Sequence, residues 1–362
     1  MPERSETKYT ELYSAKSPLV LESSELLGPI TVAYETYGTL NAEGTNAILI
    51  CHALTANAHA ASAHEGDTSG WWDGLIGEGK AFDTTKYFVV SPNILGSCYG
   101  TTGPTSIDPK TGGLYRMSFP QITIRDMVTL QKKLLDSLGV KKLVTVSGGS
   151  LGGMQVLEWG IMFPEFCKSI IPISSAAKQS AWCIALNTVA RAAMTDDPDW
   201  HQGFYVRQPK KGLGLARMIG MISYRSPVEF EDRFGRQREQ PENDRLDFDN
   251  RFEVEKYLQH QGQKLVDRFD ANTYICISRA MDLHDVGHAR GGVEHALSGI
   301  SAKVLCIGFD SDLRYPVSDQ KEIVRHVPDG KYVELTSVHG HDAFLIEYEK
   351  QNVVIKDFLK GL

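Results

Sequence analysis

The sequence predicts an α/β fold: a mostly parallel sheet with helices on both faces and an inserted helical cap. Three features point there. Short apolar runs recur along the chain, helix-period segments separate them, and a glycine-rich turn joins one run to a helix-forming stretch. Runs at residues 47–50, 87–90, 143–146, 170–173, 304–307 and 332–335 are apolar on both faces, which suits parallel strands covered from both sides. Strand-like segments at 19–21 and 30–34 open the fold. Residues 123–138 form the clearest crossover helix, with Ile124, Met127, Val128, Leu134, Leu135 and Leu138 on one face and Gly139 at its end. A second amphipathic helix is expected over 343–359.

Between Ile173 and Val304 the strand rhythm stops. Helical patterns appear at 181–194, 213–224 and 254–266, around a charge-dense segment at 229–255 that reads as a solvated loop or face. The expected organisation is a catalytic core of residues 1–175 and 301–362, with residues 176–300 as a cap over the carboxyl edge of the sheet.

The glycine-rich turn carries the chemistry. Gly148-Gly149-Ser150-Leu151-Gly152 is a Gly-x-Ser-x-Gly between a strand and a helix, the nucleophile elbow of an α/β-hydrolase fold. Such a turn needs small neighbours and puts the serine in a strained conformation at a helix N-terminus, where an oxyanion is favoured. Serine needs a base, and the base an orienting acid, in the chain order Ser, Asp or Glu, His. The loop after 304–307 offers Asp310 and Asp312, and the loop after 332–335 offers His339 and His341. Spacing leaves both pairs open. One oxyanion donor is the N–H of Leu151, and the second comes from the loop 51–55, where Leu54 is favoured. His52 in that loop reads as structural.

Composition bounds the rest. The chain has 362 residues, 42% hydrophobic and 23% charged, with net charge −7. That balance is ordinary for a soluble protein and carries no electrostatic footprint for nucleic acid. Six scattered cysteines without CxxC spacing argue against a disulfide framework. The polar first sixteen residues do not read as a signal peptide, and no apolar stretch approaches the roughly 20 residues of a membrane span. The expectation is a cytoplasmic protein. His52, His59 and His64 share a loop, and His284, His288 and His295 could share a helix face. Neither set has a zinc-binding pattern, so no metal is expected.

The chain resembles the homoserine O-acetyltransferase family of methionine biosynthesis over nearly its whole length. The resemblance rests on His52-Ala53-Leu54-Thr55, the stretch from Asn93 through Gly100-Thr101-Thr102-Gly103-Pro104 to Ser106, Phe119-Pro120, and Thr123-Ile124-Arg125-Asp126. It continues through Gly148 to Gln155, Ser223-Tyr224-Arg225-Ser226, Ser311-Asp312 and Gly340-His341-Asp342-Ala343-Phe344-Leu345. Leu151 stands where the family often has methionine, a change that spares the backbone N–H. The resemblance implies Asp312 and His341 as the acid and base. It also implies a substrate site with Arg217 for an amino-acid carboxylate, Tyr224 beside it, Asp342 for the ammonium, and Thr55. Arg217 and Tyr224, seven residues apart, share one helix face. The implied reaction is ping-pong acetyl transfer from acetyl-CoA to L-homoserine by a homodimer joined through cap helices, without a bound cofactor. Succinyl-CoA as donor, L-serine as acceptor, a serine esterase and a catalytically silent binding protein are the rival readings.

Overall fold

The computed structural model describes residues 6–62, 64, 66–240, 246–247 and 249–362. The start of the polar N-terminal stretch and residues 241–245 and 248 of the charge-dense segment lie outside the described residues. The strands are β1 (Lys8–Tyr13), β2 (Leu19–Val20), β3 (Leu26–Leu27), β4 (Ile30–Tyr37), β5 (Ala47–Ile50), β6 (Phe88–Pro92), β7 (Leu143–Gly149), β8 (Cys167–Ile173), β9 (Lys303–Phe309) and β10 (Gly330–Leu335). β2 and β3 form a small hairpin. The other eight make one sheet in the order β1-β4-β6-β5-β7-β8-β9-β10. From β6 to β10 every pairing is parallel, and β4 joins antiparallel to both β1 and β6.

β1 escaped the sequence reading because its residues are exposed or half-buried and it lies at the sheet edge, so it carries no apolar run. The interior strands were legible for the opposite reason: all four residues of β5 are buried, as are six of seven in β7, β8 and β9.

The helices are α1 (Ile124–Ser137), α2 (Leu151–Met162), α3 (Ala181–Thr195), α4 (Lys210–Tyr224), α5 (Pro227–Phe234), α6 (Glu253–Val266), α7 (Ala271–Asp282), α8 (Val293–Ser298), α9 (Val317–His326) and α10 (Tyr348–Lys360). α1 starts at a reciprocal capping box: the Asp126 N–H donates to Thr123 Oγ1, and Asp126 Oδ2 accepts from the Thr123 N–H. The helix expected over 343–359 is in fact two pieces. A 3-10 turn over Gly340–Leu345 breaks at Ile346, and α10 begins at Tyr348. That turn spends its backbone on placing His341 rather than on extending the helix.

Helices α3 to α8 are all inserted between β8 and β9. α5, α7 and the short α8 were absent from the sequence reading. α5 is hidden in the charge-dense segment, where Ser226 caps it and Pro227 begins it. α7 is buried along most of its length, so it shows no polar face to reveal a helical period. One apolar cluster passes from Leu151 and Met154 of α2 into Ile275, Ile277 and Met281 of α7. The insertion therefore shares the main core. A second cluster, with Trp72, Phe82, Phe309 and Phe344, fills the opposite face of the sheet under α10.

Two charged anchors fix the insertion to the sheet helices. Arg125 of α1 pairs with Glu22 and Glu158 and donates to the carbonyls of Asp285 and His288. Arg290 reaches Glu158 from the insertion at 2.8 Å. The Thr-Ile-Arg-Asp signature is thus architectural, serving a helix cap and a junction.

Candidate active site

Ser150 stands between β7 and α2 with φ 59° and ψ −124°, the strained turn expected of an elbow. The carbonyl of Cys51, at the end of β5, crosses this turn. A Cβ at Gly148 would sit 2.4 Å from that oxygen and one at Gly152 2.1 Å, so no larger residue fits at either position. The Ser150 N–H donates to Ile173 O of β8, and Ser175 Oγ donates to the Ser150 carbonyl. The strain is held from both neighbouring strands.

His341 Nε2 lies 2.9 Å from Ser150 Oγ, and His341 Nδ1 lies 2.8 Å from Asp312 Oδ2. The other oxygen of Asp312 accepts the backbone N–H groups of Arg314 and Tyr315, both at 2.9 Å. All three side chains are buried. With Nδ1–H committed to Asp312, Nε2 is left as the acceptor toward the serine hydroxyl. The rings of Tyr315, Phe344 and Tyr224 pack around the imidazole, with centroids 5.2, 5.5 and 5.9 Å away. The pairs left open by spacing are separated by geometry. Asp310 is exposed and accepts the Ser337 N–H, while His339 faces Glu229 at 3.5 Å.

Leu151 opens α2, so its N–H has no partner within the helix. Leu54 lies in the loop after β5 and lines the same cavity as Ser150. Neither N–H donates to an acceptor among the described residues. Gln155, fully buried in α2, donates to the carbonyls of His52 and Leu151 and so ties the loop to the elbow helix. His52 locks the loop from the other side: Nδ1–H donates to Ala53 O at 2.8 Å, and Nε2 accepts the Ile94 N–H at 3.0 Å. Burial holds its pKa down to about 4, so it stays neutral.

The cavity over Ser150 has a volume of about 540 Å³. Its sheet side supplies Leu54, Thr55, His341 and Asp342, and its insertion side supplies Arg217, Tyr224 and Arg268. Arg217 and Tyr224 do share a face of α4, with the guanidinium 5.5 Å from the ring centroid. Arg217 has no carboxylate within 4 Å among the described residues. Asp342 is half-buried, and desolvation raises its pKa against the opposing pull of Arg225, His341 and Arg217. Its closest cation is Arg225, with Nε 3.1 Å from Oδ2 but poorly aligned for a hydrogen bond. Thr55 is clipped by Arg268, whose Nη1 donates to its carbonyl at 2.6 Å and to Tyr99 OH at 2.7 Å.

Several residues of this site were missed by sequence reasoning. Arg225 entered only as part of the Ser223-Tyr224-Arg225-Ser226 signature, and Arg268 and Arg314 were assigned no role, because only folding brings them to the cavity. Gln155 had a usable signal, a lone polar residue in the strongly apolar 151–157 stretch. The helix face that His284, His288 and His295 could have shared does not form. His284 follows the end of α7 and is buried against Ala176 O, His288 lies in a loop, and His295 belongs to α8. Among the described residues no three His, Cys, Asp or Glu side chains come together as a metal site.

A family model for the alpha/beta hydrolase fold matches residues 46–348. The homoserine O-acetyltransferase of Carboxydothermus hydrogenoformans is 50% identical over 351 residues, covering 94% of this chain and 93% of that protein. The one from Moorella thermoacetica is 50% identical over 361 residues, covering 98% and 96%. The chain belongs to the homoserine O-acetyltransferase family. Among solved structures, homoserine O-acetyltransferase from Bacillus anthracis superposes with a TM-score of 0.89 at 31% identity, covering 99% of this chain and 98% of that one. Esterase E22 also superposes with a TM-score of 0.89, at 30% identity over 98% and 99% of the two chains. One backbone therefore hosts proteins named for transfer and for hydrolysis, so side chains must set the acceptor.

Proposed function

We propose that this protein transfers the acetyl group of acetyl-CoA to the side-chain hydroxyl of L-homoserine through an acetyl-Ser150 intermediate. The observation that carries the reading is the pairing of Arg217 and Asp342, of opposite charge, in the cavity of Ser150. A guanidinium without a carboxylate and a half-buried acid suit the two charges of an amino acid, whose hydroxyl then points at the serine. A simple ester offers neither charge.

In this mechanism His341, oriented by Asp312, takes the Ser150 proton as Oγ attacks the thioester carbonyl. The N–H groups of Leu54 and Leu151 hold the oxyanion. The carbon–sulfur bond breaks and CoA leaves with the proton from His341. L-homoserine then enters, with its carboxylate on Arg217 beside Tyr224 and its ammonium on Asp342, while Thr55 lines the approach. His341 takes the hydroxyl proton, the oxygen attacks the acetyl carbonyl, and Ser150 regains its proton as O-acetyl-L-homoserine departs. Residues 176–300 act as a cap that keeps water from the acetyl-enzyme. No bound cofactor is required.

Among the described residues no helix is long and apolar enough to cross a membrane, and a cytoplasmic setting suits a CoA-dependent reaction. A homodimer joined through the cap helices is part of this reading, and an exposed apolar groove supports it. Trp182, Ile222 and Leu313 are each more than half exposed around an apolar groove of about 520 Å³.

Intact-mass measurement tests the reading. Acetyl-CoA alone should add one acetyl group to the protein, and L-homoserine should remove it faster than water or L-serine does. Acylation by succinyl-CoA alone, or removal by water at the same rate, would overturn the assignment of donor or acceptor.

A further inference from the structure

Arg314 follows Asp312 by two residues, and the proposed chemistry of the triad gives it no task. Its side chain is almost fully buried yet lines the Ser150 cavity. Nη1 donates to Ser223 Oγ at 3.0 Å and Nη2 to Asn187 Oδ1 at 2.8 Å. The guanidinium stands 5.2 Å from the centroid of the same Tyr224 ring that Arg217 covers. No carboxylate lies within 4 Å of it among the described residues. Asp312 is occupied by His341 and two backbone N–H groups, and Asp282 by Asn187 and Arg191.

Both hydrogen-bonding side chains of Arg314 are neutral, so among the described residues its charge is met by the Tyr224 ring face and by no counter-charge. A buried cation without a counter-charge is costly, and a fixed charge facing a cavity is answered by a ligand's charge. Arginine keeps its proton in such a setting, so the charge is permanent. We propose that Arg314 is a second cation of the acceptor subsite: with Arg217 it sets selectivity for acceptors that carry a carboxylate. This inference rests on the acetyl-transfer reading above, and makes Tyr224 the ring that spaces the two guanidinium groups.

The test compares L-homoserine with 3-aminopropan-1-ol, which keeps the hydroxyl and the ammonium but lacks the carboxylate. The measured quantity is the ratio of their kcat/KM values. Arg314→Met should lower that ratio on the order of 10- to 100-fold, the size of a lost hydrogen bond to a charged group, and Arg314→Lys should retain most of it. A purely structural role would depress both acceptors together and leave the ratio unmoved, which would overturn the proposal. Should Arg314→Met fail to fold, Arg217→Met decides. A residual preference for homoserine of about tenfold or more supports a second cation, and a ratio near one overturns it. A wild-type protein that forms no acetyl-enzyme, or never passes acetyl to homoserine, would overturn the parent reading and this one with it. An intact wild-type reaction with an unmoved ratio overturns this inference alone.

Discussion

The two walls of the Ser150 cavity are built on opposite principles. On the sheet side Ser150, His341 and Asp312 form a closed chain of hydrogen bonds, and the open polar groups beside it are the backbone N–H groups of Leu54 and Leu151. On the insertion side, Arg217 and Arg314 present charge without a carboxylate to answer it. A satisfied wall keeps one geometry and suits bond-making steps that are the same for any acceptor. An unsatisfied wall is completed only by a ligand, and this is where one scaffold can separate transfer from hydrolysis.

The largest expected effect lies on the satisfied wall. Ser150→Ala should lower turnover on the order of 10⁶-fold and leave no acetyl-enzyme; a covalent acetyl group at full stoichiometry in that variant would remove Ser150 from its proposed role. Asp312→Asn should cost about 10⁴-fold in kcat by favouring the wrong tautomer of His341, with the fold intact by circular dichroism. On the open wall the loss is smaller and of another kind. Arg217→Met should raise the KM for homoserine on the order of 10- to 100-fold, seen in steady-state kinetics with acceptor varied. An equal loss in kcat would erase the distinction between the walls.

A fourth prediction concerns stability beside the 51–55 loop, where His59 also lines the cavity. His59 Nδ1 meets Glu35 at 3.0 Å and Nε2 meets Thr68 O at 2.7 Å, so both nitrogens donate and the ring is cationic. The bond to Glu35 is the main reason its pKa rises to about 9, above the usual value near 6.5. Burial would raise the pKa of Glu35, but the hydrogen bonds from His59, Tyr37 and Thr7 outweigh it and leave it lowered. Because the folded pKa of His59 is the higher one, its contribution is complete below about pH 6.5 and fades as pH passes about 9. Tm should fall across that window, and His59→Gln should flatten the fall. The smallest effect is expected furthest from the cavity. Thr123→Ala removes the α1 cap and should cost about 1 kcal/mol in urea unfolding, with turnover preserved.

The same contrast explains what was legible in the sequence. β5, β7, β8 and β9 announce themselves because burial on both faces leaves a continuous apolar run. Gly148 to Gly152 announces itself because a sharp turn against a carbonyl admits only small residues. Asp312 and His341 needed family resemblance to be told from Asp310 and His339, since the choice depends on which loop residue turns inward. Arg314 and Arg268 were illegible, because their meaning lies in what is missing or distant in the chain. β1 was overlooked because an edge strand with little burial looks like a polar tail.

The Cys51 carbonyl, wedged against both Gly148 and Gly152, has a mechanical consequence. It acts as a common datum from which the nucleophile and both proposed oxyanion donors are measured, since Leu54 lies three residues beyond it and Leu151 one residue before Gly152. Loop and elbow touch at this carbonyl, and Gln155 bonds His52 O to α2, so the two segments pack as one unit. The relative tolerance of the reacting atoms can then be tighter than the mobility of either segment by itself.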